Sequence, residues 1–318
     1  MSNYRNYNYR NFDDVFEFDP DCSYDEGIVQ EIDKDRKALE GLFIDKVMKV
    51  LGIKRPARYY PPKTNADLRN LHKAIVEGTG ADIHKLSVLY YLVLNIDFPT
   101  GTRDHSIAFE RRWFLPGKYQ IYMKGLWHLD RQEFEDALEY LTYPSLVPDF
   151  SDEILEVLVR RSDNDLTLPL AYYYTVQPTL KSQSAIECLF SAIARHNVTE
   201  AYYFARSQPE HTQRHMFEML ISLVLHNSPA QTIGDRSAEL VNLPFTIEEE
   251  GWFEEYLLHG EGSGLRKAKD TVLFRRIGTG KFTEALAMKD MKTRPVGGLH
   301  WNHLTKAVQD GLGPRLGV

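Results

Sequence analysis

Three stretches of this sequence carry one pattern: Phe134-Glu135-Asp136-Ala137-Leu138, Val198-Thr199-Glu200-Ala201-Tyr202 and Phe282-Thr283-Glu284-Ala285-Leu286. Each follows a tight polar turn: Leu129-Asp130-Arg131-Gln132, Arg195-His196-Asn197 and Gly278-Thr279-Gly280-Lys281. At 3.6 residues per turn, the first, fourth and fifth positions of each stretch share one helix face. The alanine at the fourth position lets that face lie close against the preceding helix. The stretches therefore read as the starts of second helices in antiparallel pairs, the unit of helical repeat stacks. Their unequal spacing excludes a regular array. The expected fold is all-α, an irregular α-helical solenoid of stacked antiparallel helix pairs.

The flanking sequence agrees. Ile32, Leu39, Leu42, Phe43, Val47, Val50 and Leu51 recur at three- and four-residue steps and predict a helix from Ile28, closed by Gly52 at C′. Pro56, Pro61 and Pro62 make Arg55 to Asn65 a linker. From Ala66 onward, helix-length segments are separated by Gly78/Gly80, Pro99/Gly101, Pro144/Pro148, Pro169, Pro178, Pro209, Pro229, Pro244, Gly260–Gly264, Gly278/Gly280 and Pro295. Ser151-Asp152-Glu153 and Thr246-Ile247-Glu248-Glu249 offer capping hydroxyls followed by first-turn acids. No alternating Val/Ile/Thr run is bounded by Asn-Gly or Asp-Gly, so essentially no sheet is expected. The longest apolar run, Leu86 to Phe98, contains Ser87, Asn95 and Asp97. It falls short of the roughly 18–20 residues of a membrane span and reads as a buried helix.

Residues 1–27 form an acidic-aromatic leader, in which Tyr4, Tyr7, Tyr9, Phe12, Phe16, Phe18 and Tyr24 stand among Asn and Asp. Two readings are open. The leader is either a disordered tail or an extended segment whose aromatics dock on a partner, since aromatics are scarce in disordered segments. The helical domain spans 28–308, and 309–318 reads as a flexible tail.

The chain has 318 residues, a net charge of −7, 43% apolar and 26% charged residues, which suits a globular core and not a basic nucleic-acid surface. Cys22 and Cys188 match no ligand or redox spacing and point to a reducing compartment. Met1 to Arg10 carries no apolar run, so no secretory signal is expected.

Catalytic patterns fail one by one. Gly278-Thr279-Gly280-Lys281 lacks a phosphate loop's upstream glycine, where Arg275 stands, and its Ser/Thr after Lys, where Phe282 stands. Gly260-Glu261-Gly262-Ser263-Gly264 lacks the dinucleotide-binding spacing; its glycines end one helix, with Ser263 set to cap the next. No nucleophile elbow occurs. His211 and His215 lie four apart, but Thr212 occupies the place of a zincin's Glu; His300 and His303, flanking Trp301, read as surface residues too. The acid clusters Asp152/Glu153 and Glu248/Glu249/Glu250 suit helix dipoles better than acid–base pairs. The pairs Arg111/Arg112, Arg160/Arg161 and Arg275/Arg276 are scattered, and neighbours at i,i+1 share no helix face. An Arg-Gly-Arg-Pro minor-groove arm is missing. No enzyme activity, cofactor, metal or small-molecule substrate is expected, and neither direct DNA binding nor membrane insertion.

Read in order, several segments resemble the ELYS-like domain, the helical domain of nuclear pore assembly proteins. They are Trp113-Phe114-Leu115-Pro116, Gly125-Leu126-Trp127-His128-Leu129-Asp130, Phe134 to Leu141, Tyr143-Pro144-Ser145-Leu146, Ala201-Tyr202-Tyr203-Phe204-Ala205-Arg206, Glu248 to Phe253, Ala268-Lys269-Asp270-Thr271, Arg275-Arg276 and Phe282 to Leu286. The resemblance covers about residues 28–290 and is greatest to the short fungal form. It implies a structural subunit of the nuclear pore's Y-shaped outer-ring complex, at the nuclear envelope. The implied partners are a large propeller-solenoid subunit and a small β-propeller. The animal form adds an N-terminal β-propeller and a chromatin-binding tail, for which this sequence leaves no room, so chromatin seeding is not implied. The family has no catalytic residues to transfer; Phe134, Ala137, Leu138, Leu141, Trp127, Trp252 and Phe282 are expected core positions. The alternative is a cytosolic helical-repeat adaptor that binds short peptide motifs.

Overall fold

The computed structural model describes residues 7–16, 24–101, 103–144, 146, 148–162, 165–226, 232–288 and 300–311. Tyr4, Phe18, Cys22, Pro229, Pro295 and the end of the tail from 312 lie outside the described residues. Every regular element among the described residues is helical. The chain forms two compact units, Met1–Leu180 and Lys181–Val318.

Unit one contains α1 (Phe12–Val15), α2 (Glu26–Ala38), α3 (Phe43–Val50), α4 (Asn65–Glu77), α5 (Asp82–Asp97), α6 (Asp104–Trp113), α7 (Gly117–Asp130), α8 (Phe134–Leu141), α9 (Ser151–Arg161) and α10 (Thr167–Val176). At its centre lies α5, packed on α4, α6 and α7, while α7 pairs with α8. Val88 through Val93 are at most 1% exposed, so α5 is buried all round, as a helix apolar on every face must be. Unit two contains α11 (Gln183–His196), α12 (Val198–Ser207), α13 (Glu210–His226), α14 (Ile233–Val241), α15 (Ile247–Leu258), α16 (Ala268–Gly278), α17 (Phe282–Leu286) and α18 (Trp301–Gln309). Here α11, α12 and α13 pack on one another, α15 on α16, and α17 on α16.

The three repeated stretches begin α8, α12 and α17 at Phe134, Val198 and Phe282, and their alanines, Ala137, Ala201 and Ala285, are completely buried. The turns before α8 and α17 close α7 and α16 in the same way. Gln132 N–H donates to Leu129 O (3.0 Å) and Glu133 N–H to His128 O (3.0 Å); Gly280 N–H donates to Ile277 O (3.1 Å) and Lys281 N–H to Arg276 O (2.8 Å). This left-handed C-cap places Gly280 at φ +76° and Gln132 at +60°. The Gly278–Lys281 segment is therefore a helix cap. The turn before α12 differs: the Asn197 side chain accepts from Glu200 N–H and caps the new helix. Gly125 on α7 serves close approach, since a Cβ there would stand 2.7 Å from Leu141 on α8.

Four local expectations change. The helix predicted from Ile28 to Leu51 is two, because Glu40 and Gly41 turn left-handed and cap α2; Gly52 caps α3 as expected. The Arg55–Asn65 linker, mostly exposed, anchors into unit one's core at Pro56, Tyr60 and Pro62, with Tyr60 1% exposed. Pro169 lies in the first turn of α10, where its missing N–H costs nothing. Neither Ser151 nor Ser263 is an N-cap; Phe150 and Lys267 occupy those positions. At Thr246 the capping box forms, its hydroxyl accepting from Glu249 N–H (3.2 Å) and Glu249 accepting from Thr246 N–H (2.7 Å). Of the expected core positions, Ala137, Leu138, Leu141 and Trp127 are buried, while Phe134, Trp252 and Phe282 are half-buried.

Polar side chains hold these helices at their ends. Asp130, at the end of α7, accepts from Phe43 N–H (2.5 Å), Ile44 N–H (3.0 Å) and Tyr91 O–H (2.9 Å), and so caps α3 from across the unit. Burial pushes its carboxyl up to about 7, against these three donors, which favour the charged form. Beside it, Trp127 Nε1–H donates to Asn95 Oδ1 (3.0 Å), and Asn95 donates to the Tyr60 hydroxyl (3.0 Å). In unit two, Arg275 is 6% exposed. It donates to Val241 O (2.6 Å) and Leu243 O (2.7 Å) at the end of α14, pairs with Glu250 on α15 and stacks on Phe245 (4.1 Å). Arg276 forks onto Glu254 (3.0 and 2.8 Å).

Candidate interaction surface

Residues 7–16 of the leader lie on α4, the start of α5 and the end of α6. Tyr7 packs edge-on against Trp113 (6.2 Å between centroids), with the Arg112 guanidinium 4.3 Å from its ring. Tyr9 also meets Trp113 edge-on (6.5 Å), and its hydroxyl donates to Asp82 Oδ1 (2.5 Å). Asn11 caps the single turn of α1. Phe12 sits under Arg69 (4.0 Å) and against the His72 ring (5.5 Å), while Asp13 pairs with Arg69 (3.1 Å). Val15 and Phe16 are each 3% exposed. Tyr24 packs on Tyr60 (6.1 Å), and its hydroxyl donates to Leu92 O (3.4 Å).

His72 lies beneath this segment, 4% exposed, its Nε2 2.9 Å from Tyr9 O. A carbonyl only accepts, so Nε2 carries the proton. Burial holds its pKa below the ordinary value and keeps the ring neutral. Nothing in the sequence marks this: the contacts join residues 36 to 106 positions apart.

The leader ends at an exposed apolar edge. Phe114 follows α6 with φ +49° and 88% of its surface open. Ile107, on α6, is 39% exposed and Tyr7 38%. In unit two, Ile247 (93%) and Tyr203 (53%) are exposed apolar residues. A polar cleft of about 420 Å³ opens between Arg58–Tyr59 and α4, lined by Asp67, Lys73 and Glu77.

His211 and His215 gather no acids into a ligand set among the described residues; His215 Nε2 lies 3.6 Å from Glu187. His128, Glu133 and Asp136 do bring ligand atoms within 4.8 Å of one another. Their chemistry is already taken: His128 Nδ1 meets Glu133 (2.7 Å), and Arg131 Nε donates to the same carboxylate (3.1 Å). A resident cation competes there with any metal. The arginine pairs divide likewise between structural and exposed roles, Arg275 buried and Arg160 paired at the surface with Glu40 (2.8 Å).

The staples at Gly125, Trp127, His128, Asp130, Glu249, Glu250 and Arg275 are residues of the segments that carried the family resemblance. A family model described as ELYS, nuclear pore complex assembly, matches residues 41–260. The chain belongs to the ELYS family. Within it, the chain is 29% identical over 234 residues to the uncharacterized protein ely5 of Schizosaccharomyces pombe, covering 73% of this chain and 74% of that protein. It is 21% identical over 268 residues to Protein ELYS of Xenopus laevis, covering 80% of this chain and 10% of the frog protein. The ELYS match thus falls on paired helices of both units, and no helix among the described residues is long and apolar enough to cross a membrane.

Proposed function

We propose that this chain is a structural, non-catalytic subunit of the nuclear pore, attached at the nuclear envelope to the Y-shaped outer-ring complex. Its partners are a large propeller-solenoid subunit and a small β-propeller, and its product is protein–protein contact supporting pore assembly and transport. The carrying observation is the ELYS match across residues 41–260. The side chains that hold the helices support the same reading: Asp130, Arg275 and Glu249 cap and clamp neighbouring helices. The contact surface on this reading is the exposed apolar edge at Phe114. Stable interfaces bury on the order of 1,600 Å², which helical stacks readily supply. Fluorescent tagging tests the placement: the reading expects a persistent signal at the nuclear rim, and a diffuse cytosolic signal contradicts it.

A further inference from the structure

Residues 12–16, Phe-Asp-Asp-Val-Phe, hold one helical turn and its C-cap, lodged on α4 and the end of α6. We propose that this face is a reading groove for acidic-aromatic segments, closed in cis by the chain's own leader, and that a partner protein carrying such a segment binds there by displacing residues 7–16. The partner's segment has the order aromatic, Asp, Asp, aliphatic, aromatic within one helical turn.

The leader displays the chemistry the groove selects. Arg69 stacks on Phe12 (4.0 Å) and pairs with Asp13 (3.1 Å), reading an aromatic and the acid after it with one guanidinium. Arg112 Nη1 donates to Asp14 O (3.3 Å) from the other side. Val15 and Phe16 are each buried, and Phe16 packs against His72. In a chain of net charge −7, these cations are placed where an acidic ligand sits.

The hold has weak points. A four-residue helix is too short to sustain itself. The Arg69–Asp13 pair has side chains 53% and 69% exposed, so water and salt screen it. Trp113 Nε1 is buried near the edges of Tyr7 and Tyr9, with no acceptor among the described residues. A buried donor left unpaired weakens the complex that leaves it so. A ligand offering an acceptor there has an advantage that the leader lacks. The leader's occupancy is then a matter of tethering, because covalent linkage supplies an effective concentration that a free segment must exceed.

The test uses a fluorescently labelled peptide of residues 7–16 and two full-length proteins, the wild type and the double variant Phe12→Ala/Phe16→Ala. The expected result is at least ten-fold tighter peptide binding by the double variant, abolished when Arg69→Glu is added. A peptide with both aspartates replaced by lysine is expected not to bind. Equal affinity for both proteins, or binding indifferent to Arg69→Glu, overturns the proposal. Hydrogen exchange on the wild type covers the case in which the double variant misfolds. Amides of residues 12–16 are expected to exchange at least 100-fold faster than those of Val88–Val93, and equal rates overturn the proposal. Concentration-dependent dimerisation by leader exchange assigns the groove to a second copy and overturns the partner assignment. No pore component enters these assays, so their failure speaks against the groove and leaves the pore placement standing.

Discussion

Asp130 shows how much one side chain does for unit one. Its two oxygens satisfy the first N–H groups of α3 and the Tyr91 hydroxyl, all in the core. Because burial raises its carboxyl from the ordinary 3.8 to about 7, the folded chain holds this proton more tightly than the unfolded chain. The linked stability is fully present below about pH 4 and is lost as pH rises through about 7, on the order of 4 kcal/mol in all. Denaturant titrations at pH 5 and pH 8 check this. The wild type is expected to lose stability across the interval relative to Asp130→Asn, and identical profiles for the two refute it. Arg275 is the counterpart in unit two. Arg275→Leu strands the Val241 and Leu243 carbonyls and the Glu250 carboxylate, and is expected to cost about 3–5 kcal/mol in the same assay. Both residues stand in the segments that carry the family resemblance, but neither clamping role could be read from sequence, since the partners lie 25 to 87 positions away.

Among the elements, the starts of α8, α12 and α17 were legible because their turns are local chemistry: an apolar residue, a first-turn acid and an alanine after a cap. The break between α2 and α3 was not, because a glutamate, Glu40, takes the left-handed position where glycine is the usual signal. The Pro-rich segment misled for a related reason. Prolines mark the end of helix but not of burial, and Tyr60 is buried there. The leader's aromatics stood out, but the surface holding their described members on this same chain did not, being assembled from α4, α5 and α6. Two substitutions test the α7–α8 pair. Leu138→Asp places an unpaired charge at a 7% exposed site and is expected to cost several kcal/mol. Gly125→Val drives a side chain into Leu141 and is expected to cost about 1–3 kcal/mol. Thermal melting measures both, and a wild-type melting temperature for either places the pair apart.

For the whole molecule, ELYS family membership goes with a chain whose buried polar side chains Asp130, Glu249 and Arg275 hold helices together. On the proposed reading, a surface substitution disables partner contact without unfolding the chain. Phe114→Glu, at a residue 88% exposed, is expected to leave melting unchanged and to weaken partner capture at least ten-fold; unchanged capture moves the contact elsewhere. The most direct measurement is affinity purification of the tagged chain at high salt, with the stoichiometry of its companions determined by mass spectrometry. The account predicts near-equimolar recovery of a large propeller-solenoid subunit and a small β-propeller of the outer ring. Recovery of the chain alone, or with exchangeable substoichiometric cytosolic proteins, contradicts it.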